Sequence, residues 1–419
     1  MLQFFIYRYN YNRSALFRTE GTRLQIYRDR RWREFTVKGV NLGMGKPGYL
    51  HVNSNLTGKE YRQWFNQIAA MNANVIRIHN ILAPEFYKAF YEYNMIARRP
   101  LYLLQGIWVE EGSVGPYEDA YDDGLNTVLF EQIKRTVDII HGKAASRQGA
   151  SDNSGGYNLN ISPYVMGFIL GREMDPEFII ATNSRNTQVM GFEGDYLYTE
   201  NASPYEAWLA ALGNYTVSYE QEKYGGPYRL VSWVNMPLTD PLFHFMVDDT
   251  RIEELSGVDF EHINITEKYS AGIFASYTIY PYDPYLIRYQ IEFSDFVDNR
   301  GYTNHFEGYL NELRRHHTMP VLAAEFGIPV FRGSSSRTQS FGNSNAVNTE
   351  KEQGEYAAAA YDSMISAGFA GGIIFAWQDS LTAELSYGIM TFDPHGETRF
   401  SNDRLKESYT IMQEKYANY

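Results

Sequence analysis

Pro320-Val321-Leu322-Ala323-Ala324-Glu325-Phe326-Gly327 runs four apolar residues into a single carboxylate, with a glycine two places on. A strand covered on both faces reads as a continuous apolar run, not an alternating one. The stretch predicts a buried parallel strand with Glu325 at its tip. The same signature recurs on both sides of it. Upstream lie Phe35–Gly43, Asn74–His79, Leu101–Trp108, Tyr164–Gly171, Arg229–Asn235 and Gly272–Tyr280, and downstream lies Gly371–Trp377. Helical patterns separate most of them. Tyr61, Trp64, Phe65, Ile68 and Met71 fall at helical spacing, as do Val128, Leu129, Ile133, Val137 and Ile140. Further helices are expected at Pro84–Tyr93, from the Ser203-Pro204-Tyr205-Glu206 capping box to about Tyr224, at Asn304–His317, from Thr349 to near Gly368, and at Asp403–Tyr416.

Strands alternating with helices predict parallel pairing through crossovers. Eight of them point to an α/β fold closed as a (β/α)8 TIM barrel over residues 35–419. An open doubly wound sheet is the alternative. Gly43-Met44-Gly45-Lys46-Pro47-Gly48 resembles its glycine-rich turn only loosely, because Pro47 interrupts where a helix would begin. Residues 1–34 hold strand-like runs at Leu2–Tyr9 and Leu24–Tyr27, expected to form a small β-hairpin cover on the bottom of the barrel. An extra strand is expected at Val258–Ile263, and polar loops at 144–160 and Gly333–Asn348.

The chain has 419 residues, 44% of them apolar, enough to bury a large core. With 37 basic and 50 acidic residues the net charge is −13, and no basic block argues for nucleic acid. There are no cysteines, so disulfides and thiolate metal sites are excluded. The reading calls for no cofactor and no metal. No run of about 18 apolar residues is present to span a membrane. The opening Met-Leu-Gln-Phe-Phe-Ile-Tyr-Arg lacks the long apolar core of a signal peptide. The expectation is a trimmed or mature extracellular or envelope protein, with a cytoplasmic one left open. The 35 Tyr and 25 Phe suit the C–H faces of sugar rings, so an oligosaccharide or polysaccharide partner is expected.

In a barrel the strand ends share one face. Asn41 ends the first strand, Arg77 and His79 the second, Gln105 and Trp108 the third. Arg172 and Glu173 follow the fourth, Trp233 and Asn235 end the fifth, Tyr280 and Tyr282 follow the sixth. Glu325 ends the seventh, Trp377 and Asp379 follow the eighth. Two carboxylates among cations and aromatics match what glycoside cleavage needs: one protonated acid for the leaving oxygen and one carboxylate across the sugar. Arg77 and Tyr280 are expected to keep Glu325 ionised. Glu173 is expected to be the acid, raised by burial and nearby negative charge, with Arg172 turned toward substrate hydroxyls or an acidic partner. Asp240 and Asp259 are further candidate carboxylates. His244, Asp248 and Asp249 are weaker cation candidates, and His316-His317 reads as a solvated or capping pair.

The pattern resembles clan A retaining glycoside hydrolases, the group that includes family five endoglucanases and family two barrels, and the yeast-type β-1,3-glucanosyltransferases. The residues are Val37-Lys38-Gly39-Val40-Asn41, Asn74-Val75-Ile76-Arg77, Gly171-Arg172-Glu173, Tyr280-Pro281, Ala324-Glu325-Phe326-Gly327 and Trp377, across about residues 35–380. Gly171-Arg172-Glu173 with Pro100–Gly106 also resembles a little-described set of bacterial barrels attached to envelope polysaccharide systems. The resemblance implies Glu173 as acid/base, Glu325 as nucleophile, Arg77 and Tyr280 as its supports, and Trp377 as the sugar platform. It departs at Arg172, where the family has Asn, and at Thr278, where many members have His. A β-glucan hydrolase, a transglycosylase with the same residues, and an inactive carbohydrate-binding barrel are the functions that remain open.

Overall fold

The computed structural model describes residues 15–43, 56–107, 119–144, 156–242, 256–282, 293, 295–331, 349–379, 385–392 and 403–419. The strands, in chain order, are β1 (Phe17–Glu20), β2 (Arg23–Arg28), β3 (Arg31–Glu34), β4 (Val37–Asn41), β5 (Val75–Ile78), β6 (Tyr102–Ile107), β7 (Val165–Leu170), β8 (Leu197–Thr199), β9 (Leu230–Asn235), β10 (Ile263–Ile265), β11 (Ala275–Thr278), β12 (Val321–Phe326), β13 (Val330–Phe331), β14 (Gly371–Ile374), β15 (Leu385–Ser386), β16 (Met390–Phe392) and β17 (Asp403–Leu405). The helices are α1 (Gly58–Ala70), α2 (Pro84–Ile96), α3 (Asp123–Ile140), α4 (Pro176–Arg185), α5 (Pro204–Lys223), α6 (His305–His316), α7 (Glu350–Ser366) and α8 (Glu407–Ala417).

Strands β4, β5, β6, β7, β9, β11, β12 and β14 form a closed, all-parallel barrel in which β14 returns to pair with β4. The apolar runs explain the closure: every residue of β5, β7, β12 and β14 is buried. These strands are covered by interior side chains on one face and by helices on the other. β7 and β12, which lead to Glu173 and carry Glu325, are separated by β9 and β11.

Capping boxes at Thr57 with Glu60, Ser203 with Glu206, and Thr349 with Glu352 fix the starts of α1, α5 and α7. Each N-cap contributes about 1 kcal/mol. On α3 the buried face runs through Leu125, Leu129 and Ile133, while Val128, placed by periodicity on that face, is 45% exposed.

The N-terminal cover is a three-stranded antiparallel sheet, not a hairpin, because Arg31–Glu34 pairs back onto Arg23–Arg28. The turn between them places Asp29 and Arg30 at φ 51° and 65°. The expected strand Leu2–Tyr9 lies outside the described residues. The cover meets the starts of barrel strands: the Phe17 ring packs on Phe35 and Tyr102, and Thr19 N donates to Ala271 O. The extra strand expected at Val258–Ile263 lies at Ile263–Ile265, paired antiparallel with Leu197–Thr199. Phe260–His262 form a single 3₁₀ turn before it. The expected helix from Asp403 begins at Glu407, because Asp403–Leu405 pairs with Met390–Phe392.

Candidate active site

Alternate residues of a strand point to opposite faces. Phe326 lies against Tyr361 of α7, so Glu325, one residue earlier, points into the barrel. It is 6% exposed. The same alternation brings Arg77 and His79 inward from β5. Arg77 Nη1 donates to Glu325 Oε1 at 2.6 Å, and His79 Nε2 lies 2.5 Å from the same oxygen. Tyr280 Oη donates to Glu325 Oε2 at 3.1 Å. Asn41 braces the group from β4: its Nδ2 donates to Ala324 O at 3.1 Å, and Arg77 Nη1 lies 3.4 Å from its Oδ1. Thr278 pairs in register with Glu325 on the neighbouring strand and is buried.

These contacts set the charge. Burial pushes the Glu325 carboxyl upward, but the charges of His79 and Arg77 and their hydrogen bonds outweigh it and hold it down at about 2. The Tyr280 phenol is held well above its ordinary value, first by burial, then by the charges of Glu325, Tyr282, Glu173 and Tyr387. Tyr280 therefore stays a hydrogen-bond donor at neutral pH.

Glu173 is half-buried beyond the end of β7. Gly171 sets its position with φ 78°, a left-handed conformation that other residues adopt only at a cost. Arg172 turns back, its Nε donating to the Glu173 carbonyl at 3.2 Å. Beside Glu325, Gly327 permits a close approach: a Cβ there would sit 2.3 Å from the Phe375 carbonyl oxygen.

Aromatic rings wall the site. Phe375 lies 6.2 Å from the His79 ring, 6.5 Å from Tyr280 and 5.6 Å from Tyr387. Tyr282 stands 5.5 Å from Tyr280, and its hydroxyl donates to Tyr387 Oη at 2.5 Å. Sequence reasoning missed Phe375 and Tyr387. Phe375 was accessible to it, since it shares a face with the inward residue Ile373; Tyr387 lies in a tract that carries no periodic signal.

Several expected ligand contacts are located elsewhere. Trp377 is 0% exposed and packs between Trp64 of α1 and Tyr409 of α8. β14 ends at Ile374, so alternation no longer governs Trp377, and Phe375 is the ring on the site side. Asp379 is buried in an ion pair with Lys406 Nζ at 2.9 Å. Trp233 faces α5, its Nε1 donating to Leu209 O at 2.8 Å. Asn235, on the same face, donates to Val258 O and accepts from Thr239 Oγ1. Gln105 is buried toward α2 and accepts from Tyr87 Oη. For Gln105, Trp233 and Asn235 the error is one of parity, since they point away from the barrel interior, whereas Trp377 and Asp379 lie past the strand end, where parity no longer applies. Asp240 accepts from Tyr309 Oη, and Asp259 pairs with His316, so neither faces Glu325. His317 is buried, not solvated. Trp108, His244, Asp248 and Asp249 lie outside the described residues. Among the described residues no helix is long and apolar enough to cross a membrane.

No protein-family model and no curated protein sequence matches the chain. Solved structures do. A GH2 β-galacturonidase from Eisenbergiella tayi bound to galacturonate superposes with a TM-score of 0.56 at 14% identity, over 96% of this chain and 54% of that one. The apo structure of Saccharomyces cerevisiae Gas2p superposes at 0.53 and 10% identity, over 97% of this chain and 65% of that one. Gas2 in complex with a compound gives 0.54 at 12% identity, over 96% and 68% of the two chains. The chain thus spans about half the length of the β-galacturonidase. At these identities the likeness establishes the barrel fold that the strand order already displays.

Proposed function

We propose that the chain is a retaining glycoside hydrolase acting on a β-linked glycan, with residues 35–419 as its catalytic barrel and 1–34 as a cover. The observation that carries this is the Glu325 carboxylate, held ionised at the mouth of the barrel inside a wall of aromatic rings. An ionised carboxylate there is a nucleophile for the anomeric carbon. In the first step Glu325 bonds to that carbon as the glycosidic C–O bond breaks, and the leaving oxygen takes the proton of Glu173. In the second, Glu173 takes a proton from water, whose oxygen displaces Glu325 and regenerates both groups. Tyr280 and Arg77 orient Glu325 and stabilise its charge. Direct attack requires the two carboxyls to stand about 5–5.5 Å apart in the complex. Phe375 supplies the apolar face against which a sugar ring would stack. The fold likeness to glycoside hydrolases supports the same reading, and a polymeric substrate fits an extracellular or envelope setting.

The test is a screen on defined β-linked oligosaccharides, with glucans and galacturonides included, read by reducing ends and product anomer. The expected result is net retention, with Glu173→Gln losing roughly 10²–10⁴-fold on a poor leaving group. Glu173→Gln should lose far less on a dinitrophenyl glycoside, whose leaving group needs no proton. Inverted product, or wild-type turnover in folded Glu173→Gln, overturns the assignment. Products longer than the substrate would identify transglycosylation through the same residues. Retention of oligosaccharide without new reducing ends would identify a binding barrel.

A further inference from the structure

On the flank of the barrel, away from Glu325, two imidazoles and two carboxylates from separate segments converge. Asp259 opens the Phe260–His262 turn; its Oδ1 accepts from Glu261 N at 2.9 Å. Its other oxygen, Oδ2, lies 2.8 Å from His316 Nε2. His316 and His317 end α6 at the approach to β12, with their rings almost perpendicular. His317 Nδ1 lies 3.1 Å from Glu261 Oε1, and its Nε2 lies 2.8 Å from Tyr277 Oη. One donor atom each from Asp259, His316 and His317 fall within 4.8 Å of one another. His317 is buried, while Asp259 and His316 are half-buried, which leaves a route from solvent.

We propose that Asp259, His316 and His317 form a binding site for a divalent cation of the zinc class, with Glu261, whose carboxylate accepts from Thr318 N and Oγ1, fixed beside it. The donor set decides the class. Two imidazole nitrogens with carboxylate oxygen suit zinc, cobalt or nickel, whereas magnesium and calcium prefer oxygen alone. On a tetrahedral ion with bonds of about 2.0–2.1 Å, donors stand roughly 3.4 Å apart. The close Asp259–His316 pair must open slightly and the wider pairs contract, which side-chain rotation accommodates. His317 is built for the role: with Nδ1 on the ion, its Nε2–H donates to Tyr277 Oη, the outer partner that orients a metal-bound imidazole. Asp259 likewise has one oxygen held by a backbone N–H and the other turned to the cluster. The ion would clamp the segment holding Asp259 and Glu261 to the root of β12, the strand that carries Glu325. A clamp of this kind is structural, so its loss is read first in binding and stability.

The experiment titrates tag-free full-length protein, stripped with chelator, with zinc chloride in a calorimeter. One saturable equivalent is expected, with a rise in melting temperature. Asp259→Asn keeps the turn acceptor but removes the charge, and His316→Ala removes one nitrogen; each should weaken binding about tenfold or more. His305→Ala, an exposed histidine at the other end of α6, should bind as wild type. Absence of a saturable equivalent overturns the proposal. So does equal affinity in folded Asp259→Asn, His316→Ala and His305→Ala.

Discussion

Among the described residues two triads of the same residue types stand out, each around a buried carboxylate, and one of them faces the barrel mouth. Glu325 sits with Arg77 and His79; Glu220 of α5 sits with Arg229 and His141. In both, burial pushes the carboxyl up and the partners pull it below its ordinary range. The surroundings differ. Arg229 Nη2 donates to Ser162 O, and the His141 ring stacks on Tyr224 at 4.0 Å with the planes 1° apart. Helix, loop and strand are tied together there. At Glu325 the second carboxylate oxygen is met by a tyrosine, and the rings of Phe375, Tyr280 and Tyr387 flank it. A charged triad is therefore not by itself a catalytic signature, and on the function proposed above its position relative to the strand ends is what distinguishes Glu325.

The sharpest way to break the comparison is to make the same change twice. Glu325→Gln is expected to lower turnover by roughly 10⁴-fold or more, as loss of a nucleophile does, with the circular dichroism spectrum unchanged. Glu220→Gln is expected to leave turnover of the folded enzyme within about twofold while lowering stability by about 3–5 kcal/mol, the cost of stranding one member of a buried ion pair. Denaturant titration with turnover assays on both variants decides. If Glu220→Gln abolishes turnover while folded, the two triads are not separable in the way described.

The pH dependence separates them next. Burial holds the His141 ring below its ordinary 6.5. A depressed histidine in the folded state means the unfolded chain binds more protons, so stability falls as pH drops below about 6.5. Glu325 is depressed to about 2, so its share is present above the ordinary carboxylate value of 4.5 and is lost only as pH falls from there toward 2. The expected profile has an upper slope from the Glu220 triad and a lower one that includes Glu325. His141→Gln should flatten the upper slope between about pH 7 and 5.5, measured by chemical denaturation across that range. An unchanged slope would place the titration elsewhere.

Much of this was legible because apolar runs of barrel length are rare and repeated eight times. Val321–Phe326 and Gly371–Ile374 announce themselves by composition alone. The inward residues Arg77, His79 and Glu325 follow from the same runs once facing is counted. What was misread has two related causes, both in how a strand end is faced. Gln105, Trp233 and Asn235 sit at strand ends but on the helix-facing parity, and Trp377 and Asp379 lie past the end of β14, where parity lapses. An aromatic ring or amide at a strand tip is as useful to a helix interface as to a ligand, and its type does not say which. β10 was legible only to within a few residues, and β8 and α4 were illegible for another reason: they are short and held by contacts distant in sequence, such as Ala120 N to Thr182 Oγ1. Local propensity does not specify elements of that kind.

The smallest expected effect tests how the mouth triad differs from its buried counterpart. Tyr280 donates to Oε2 of Glu325, whereas the described side-chain partners of Glu220 are His141 and Arg229. Tyr280→Phe removes a hydrogen bond to a charged group, which is worth about 1.5–3 kcal/mol and so roughly 10–100-fold in rate if it acts in the transition state. It also removes a donor that favours the ionised form, so the acid limb of kcat/KM should move upward in pH. A purely structural tyrosine would lower stability and leave that limb in place. Measuring kcat/KM from about pH 2 to 8, with brief exposure at the acid end, for the wild type and Tyr280→Phe distinguishes the two. The ring must be kept in the variant, because the aromatic wall with Phe375 and Tyr387 depends on it and the hydroxyl alone is being asked about.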